Sequence, residues 1–190
     1  MPQPTPITAG AQRTAIWDTL ERAKLCRFPL PPHGHCPNFV GAKEAAQHLL
    51  AHPQVLGLHT LIVGPERALL SLRKLALAGG KVLYVPHQKK EGWYWRLTDP
   101  LGAKLSQMPE VGEPKLHPEG AQAAVLACVA ADRAGGRLGK GYGWGARGLH
   151  LGLPEYTLAH AVMLSDHLPC PADSQVSLIG TPREVIEVRL

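Results

Sequence analysis

Between Leu58 and Val85 the chain passes through a succession of segments that narrows the possible folds more than any other feature. Leu58 to Val63 is a short apolar run, and Gly64-Pro65 breaks it. Glu66 to Ala78 then carries Leu69, Leu70, Leu72, Leu75 and Leu77 at helical spacing, Gly79-Gly80 closes that stretch, and Lys81 to Val85 is a second apolar run. A glycine pair after a leucine-rich helix is a usual stop. Short runs without alternation fit strands buried on both faces, and two of them joined by a helix have the connectivity of a parallel pair. The predicted fold class is α/β, a three-layer, mostly parallel sheet with helices on both faces.

The remaining segments extend this pattern. Ala15, Ile16, Leu20, Ala23 and Leu25 predict a first helix over Arg13 to Phe28, stopped by Pro29 to Pro32. Residues 1–12 read as a flexible N-terminal tail and residues 13–190 as one domain, a size that supports a core without disulfides or structural metal. Pro31 to Phe39 is a stiff loop, Ala42 to Leu50 a second helix, and Ala123 to Ala130, small and apolar throughout, a central strand. Lys89 to Pro118 reads as irregular, with further strands near Thr157 to Leu164 and Val176 to Ile179 and a final piece over Arg183 to Arg189.

Composition serves mainly to exclude. A hydrophobic fraction of 45% with 18% charged residues argues against a disordered chain. Met1 to Gly10 has no basic segment followed by an apolar one, so no secretory signal is expected. No apolar run reaches the roughly 18–20 residues of a membrane span, and the expected location is cytoplasmic. Cys26, Cys36, Cys128 and Cys170 form no C-x-x-C pair and fit reduced thiols. A net charge of +5 suits an anionic ligand or a nucleic acid without choosing between them.

The densest glycine cluster runs from Gly135 to Gly145 and follows the expected central strand. Glycines at 136, 139, 141, 143 and 145 remove side chains where backbone must turn or approach a ligand, and their amides can converge on phosphate oxygens. In an open α/β sheet, ligands bind beyond the carboxyl ends of the strands, which is where this loop would lie. It matches neither G-x-x-x-x-G-K-[ST] nor G-x-G-x-x-G with a later acid, so composition alone leaves a phosphate loop or a flexible surface turn.

Gly136-Arg137-Leu138-Gly139-Lys140-Gly141-Tyr142-Gly143-Trp144 resembles the R-L-G-x-G-x-G-Y motif of the 5-formyltetrahydrofolate cyclo-ligase family. Pro31-Pro32-His33-Gly34, Pro37-Asn38-Phe39-Val40-Gly41-Ala42 and Ala45-Ala46 with Leu49 resemble segments of its divergent, cyclo-ligase-related branch. So do Arg73, Ala76 and Leu77 followed by Gly80-Lys81-Val82-Leu83-Tyr84-Val85-Pro86, and Thr181-Pro182 with Val185-Ile186. The resemblance implies a NagB/RpiA/CoA-transferase-like fold. It also implies ATP- and magnesium-dependent conversion of 5-formyltetrahydrofolate to 5,10-methenyltetrahydrofolate through a phosphorylated formyl group, by a monomer or homodimer.

By the same resemblance Arg137 and Lys140 would be catalytic. Arg13, Gly136, Leu138, Gly139, Gly141, Tyr142, Gly143, Trp144 and Arg147 would hold the ATP phosphates, and Asp173 would serve magnesium. Three departures stand out. The family places an aspartate after its tyrosines where this chain has Gly145-Ala146-Arg147, Ala9 replaces a lysine one turn before Arg13, and Ser177 replaces a later aspartate. Asp132 is a further carboxylate near the loop, although a residue at a strand end more often caps a turn. The acid that family enzymes use in the folate pocket has no clear equivalent between Leu49 and Gly64.

Other constellations read more simply. His33, His35 and Cys36 fit a turn better than a metal site, and Trp93-Tyr94-Trp95 fits a hairpin face better than a binding platform. No nucleic-acid partner is expected, since a recognition-domain signature is missing and the chain has two phenylalanines. A non-catalytic nucleotide- or folate-binding relative and a basic RNA-binding protein are the alternative functions.

Overall fold

The computed structural model describes residues 5–189 and begins its regular structure with α1 (Ala9–Arg22). The helix starts ahead of Arg13 because Thr8 caps it, its Oγ1 accepting from the Ala11 amide at 3.1 Å. Residues 9–12 of the expected tail are therefore helical, and residues 1–4 lie outside the described residues. The helix ends short of Phe28, because Lys24 takes a φ of 54° and the chain turns to pair Cys26 with Phe39.

After α2 (Ala42–Ala51) and the single turn α3 (Pro53–Leu56) come β1 (Thr60–Val63), α4 (Leu70–Ala78) and β2 (Val82–Pro86), the expected strand–helix–strand unit. The stretch expected to be irregular holds β3 (Tyr94–Leu97), α5 (Met108–Val111) and β4 (Glu113–Lys115). Its strands pair antiparallel beyond β2, so neighbours rather than local pattern order it. Then follow β5 (Ala123–Val125), β6 (Ala130–Asp132), β7 (Gly136–Leu138), β8 (Glu155–Leu158), β9 (Leu164–Ser165), β10 (Ser174–Gln175), β11 (Leu178–Gly180) and β12 (Val185–Glu187).

The main sheet has the order β12-β11-β8-β5-β1-β2-β3-β4, parallel from β11 through β2 and antiparallel at both edges. Its side chains alternate as strand geometry requires. Leu61, Val63, Leu83, Val85, Ala123 and Val125 join the main core with α2 and α4. Ile62, Val82, Tyr84 and Ala124 form a second cluster, covered by Tyr94 and by Trp144, Leu149 and Leu153 from the segment after the glycine cluster.

The expected strand over Ala123 to Ala130 is two strands in two sheets. The Leu126 amide still donates to Tyr156 of the main sheet, whereas the Val129 amide donates to Leu138, so Leu126 to Val129 hands the chain to a small sheet of order β10-β7-β6-β9. Asp132 closes the β6–β7 turn, Oδ1 accepting from the Gly136 amide at 2.8 Å and Oδ2 from the Leu168 amide at 2.8 Å. It is a turn cap rather than a metal ligand. Among the described residues no helix is long and apolar enough to cross a membrane.

Candidate functional site

From β1 the chain moves to β2 on one side, and β5 later fills the other side, so strand order reverses between β1 and β5. Such switch points, at the carboxyl ends of the strands, are where open α/β sheets bind ligands. Gly64-Pro65-Glu66 leaves β1 there, Leu126-Ala127 leaves β5, and the glycine loop after β7 meets both. A hole of about 10 Å³ between Glu66, Leu126, Arg137 and Lys140 shares Cys36, Glu66, Lys140 and Trp144 with a cavity of about 250 Å³ that also reaches Arg67 and Gln88.

Gly141, Gly143 and Gly145 take φ values of 98°, 84° and 71°, while Lys140, Tyr142 and Trp144 keep negative φ. Among the described residues the amides from Lys140 to Gly145 donate to no protein acceptor. A run of unpaired amides on backbone of alternating φ sign is the chemistry of an anion-binding concavity. Arg13 lies on this loop, its Nε donating to the Gly139 carbonyl at 2.7 Å and its Nη2 to Asp173 Oδ2 at 3.3 Å. A Cβ at Gly141 would stand 3.0 Å from Arg13 Nη1, so glycine is what lets the guanidinium approach. Asp173 Oδ2 also accepts from the Gly139 amide at 2.9 Å.

The other expected residues separate into two groups. Gly136 and Leu138 are buried inside β7, Leu138 against Ala130 and Cys170, so they support the loop from beneath and line neither cavity of the cleft. Arg137 is 2% exposed and donates to four protein acceptors. Lys140 does line the cleft, with its Nζ 4.6 Å from the centre of the Tyr142 ring. Tyr142 donates its hydroxyl to the Gly34 carbonyl at 2.6 Å and so ties the glycine loop to the proline-rich loop. Trp144 borders both cavities and stands edge-on to Tyr94 at 6.5 Å, and Tyr94 in turn to Tyr84 at 6.3 Å. Arg147 is exposed and, with Glu155 and Asp173, borders a separate cavity of about 200 Å³.

Glu66 is the functional candidate that sequence reading missed. Its Oε2 is sealed from solvent with no hydrogen-bond partner. Burial is the main reason its carboxyl is pushed above the usual range, against the opposing pull of its own backbone, Arg73, Lys140 and Arg137. Arg73, 2% exposed and held down to about 10 by burial, is spent on the Ala103, Gly64 and Glu66 carbonyls at 2.8–2.9 Å. A Cβ at Gly64 would collide with Glu66 Oε2, so the Gly-Pro break is what lets the carboxylate fold into the cleft. An acid two residues past a glycine at the end of a central parallel strand was the available signal.

His33, His35 and Cys36 do not converge. His33 turns to Asp18 at 2.7 Å, the His35 carbonyl accepts from Trp17 Nε1 at 2.9 Å, and Cys36 is a buried cleft wall whose thiol is pushed up by burial. Among the described residues no three His, Cys, Asp or Glu side chains are placed to hold a metal. Trp95 points into the main core and stacks on His87 at 4.3 Å, whereas Tyr94 joins the second cluster, so the aromatic triplet divides between two layers.

A mostly parallel sheet with a glycine loop of unpaired amides and a sealed carboxylate at its switch point defines an α/β protein with a cleft at the carboxyl ends of its strands. The model of the 5-formyltetrahydrofolate cyclo-ligase family matches residues 13–182, and the chain belongs to this family. The methenyltetrahydrofolate synthase domain-containing protein of Mus musculus is 30% identical, with 95% of this chain and 55% of that protein aligned. The Homo sapiens protein of the same name is 28% identical, with 92% and 52% aligned. The chain thus spans about half the length of the curated relatives it matches. The solved 5,10-methenyltetrahydrofolate synthetase of Aquifex aeolicus superposes with a TM-score of 0.67 at 20% identity, covering 97% of this chain and 94% of that one, which shows a shared fold.

Proposed function

We propose that the chain is an ATP-dependent cyclo-ligase acting on a formylated reduced folate. The glycine loop receives the ATP phosphates, and Glu66 receives the pterin. The observation that carries this reading is the unpartnered Oε2 of Glu66, sealed in the cleft beside Lys140 and Trp144. A buried carboxylate oxygen without a donor is costly, and a pterin edge presents the N–H donors that would satisfy it.

In this reaction the formyl oxygen takes the γ-phosphoryl group and ADP leaves. The neighbouring folate N–H nitrogen then adds to the activated carbon and releases its proton to solvent, and phosphate departs with the carbon–oxygen bonding electrons. The protein's part is to align two ligands and neutralise the transferring oxygens. Lys140 and Arg13 Nη1 supply positive charge at the loop, its free amides supply donors, and Trp144 walls the cleft.

The family uses ATP with magnesium. Here Ala146 offers no ligand, and Asp173 already accepts from Gly139 and Arg13 through one oxygen. These residues do not fit a metal held by the protein alone, and no step is assigned to it. The same two observations favour a second reading, a relative that binds ATP and folate without turnover.

The test is the absorbance change of methenyltetrahydrofolate formation with 5-formyltetrahydrofolate, magnesium and ATP, with and without ATP, for the parent and a Lys140→Ala variant. ATP-dependent product that Lys140→Ala loses supports the cyclo-ligase. Absence of product with ATP still bound in calorimetry leaves the binding reading. Arg13→Ala is expected to weaken ATP binding about tenfold in the same calorimetry, the size of one lost charged hydrogen bond, and to lower the thermal midpoint by about 2–4 °C because the Gly139 carbonyl and Asp173 lose a donor.

A further inference from the structure

We infer that Arg137 is a positioning residue, which holds the glycine loop in its anion-receiving form by drawing the carbonyls around it onto a buried guanidinium. The inference deepens the proposed function and rests on its reading of the loop as the ATP site. Nε donates to Ser174 Oγ at 2.8 Å and Nη1 to the Ala127 carbonyl at 2.7 Å. Nη2 donates to the Gly145 carbonyl and to the Ala146 carbonyl, the latter at 3.3 Å. These acceptors come from the exit of β5, the far end of the glycine loop and β10, so one planar cation fixes three segments relative to one another.

The partition of peptide groups follows from this arrangement. The Gly145 and Ala146 carbonyls turn inward to the guanidinium, while the amides from Lys140 to Gly145 remain without protein partners. Four of the five guanidinium N–H groups donate to protein oxygens, leaving one Nη1 hydrogen, and the residue is 2% exposed. Turning the fork toward a phosphate beyond that single hydrogen would break one of these bonds and leave its buried acceptor unpaired. A lysine would keep the charge, but a single ammonium cannot span acceptors spread around a planar fork.

The test reads the loop with no ligand present. The protein is labelled with 5-fluorotryptophan, and among its four tryptophans the ¹⁹F resonance of Trp144 is assigned with Trp144→Phe. In Arg137→Ala and Arg137→Lys the Trp144 resonance is expected to shift or broaden while those of Trp17, Trp93 and Trp95 hold. Millimolar guanidinium, but not methylammonium, should restore it in the alanine variant. ATP affinity by calorimetry should fall about tenfold or more and recover in parallel, as small misplacements of aligned groups do.

An unmoved Trp144 resonance in the ligand-free variants together with lost ATP affinity would make Arg137 a direct phosphate contact and overturn the inference. Full retention of both readouts in Arg137→Lys would also overturn it, and that variant decides the matter should the alanine variant fail to fold. If the parent does not bind ATP, the proposed function fails, yet the ligand-free resonance still reports on Arg137.

Discussion

Glu66→Gln is expected to give a protein more stable than the parent at neutral pH and defective in methenyltetrahydrofolate formation. The two effects share a cause. A sealed carboxyl without a donor has a folded pKa above its unfolded value of about 4.3. The folded state then holds its proton more tightly than the unfolded state, so the group's contribution to stability is present below pH 4.3 and is lost as pH rises through the folded pKa. Glutamine carries no such charge. The gain of Glu66→Gln should therefore be small near pH 4 and grow to about 1–3 kcal/mol at neutral pH, raising the thermal midpoint by about 2–4 °C per kcal/mol. Turnover should drop about a hundredfold, because glutamine replaces one of the two carboxyl oxygens with an NH₂ donor that faces the pterin N–H groups in a desolvated pocket. Thermal melts from pH 4 to 8 check the first effect and the absorbance assay the second. A pH profile parallel to that of the parent would remove the case for Glu66 as a strained binding group.

Gly135→Ala should lower the thermal midpoint by on the order of 10 °C. Gly135 turns the chain between β6 and β7 at a φ of 96°. An added Cβ would stand 2.6 Å from the Val176 carbonyl and 2.9 Å from Val188 Cγ1, and would collide with Gln175 Nε2. Left-handed strain of roughly 1–2 kcal/mol adds to overpacking of about 1–3 kcal/mol, with little room to relax because the Val176 amide donates to Gly135 itself at 2.8 Å. Gly152→Ala is the matched comparison. Its φ is 71° and nothing lies within 4 Å of an added Cβ, so only the strain remains. Melts of both variants separate backbone strain from collision, and equal losses would refute the collision.

What the sequence made legible follows from how each signal arises. β1, α4 and β2 were readable because apolar runs and a glycine stop are local features, and α/β order follows from them. The break at Leu126 to Val129 was not, since those residues are apolar and buried in either sheet and composition does not record a change of partner. β3 and β4 were hidden because their order comes from β2. At the cleft, the resemblance names Arg13, Lys140, Trp144 and the loop glycines, and the fold brings them to one loop. Arg137 was also found, but sequence cannot separate an arginine that meets a ligand from one that meets carbonyls. Glu66 is hidden because an acid after a Gly-Pro break reads as the start of a helix, and only the fold shows Gly64 making room for its carboxyl.

The Tyr142 hydroxyl bond to Gly34 joins two loops that α1 also holds from beneath, Arg13 bonding the Gly139 carbonyl and Trp17 the His35 carbonyl. One hydrogen bond contributes about 1 kcal/mol, so by itself it favours the tied arrangement over the untied one by about fivefold. The α1 anchors set the loops' places and the latch adds only that small bias at their tips, so ligand exchange past Tyr142 is governed by a population ratio rather than by a locked door.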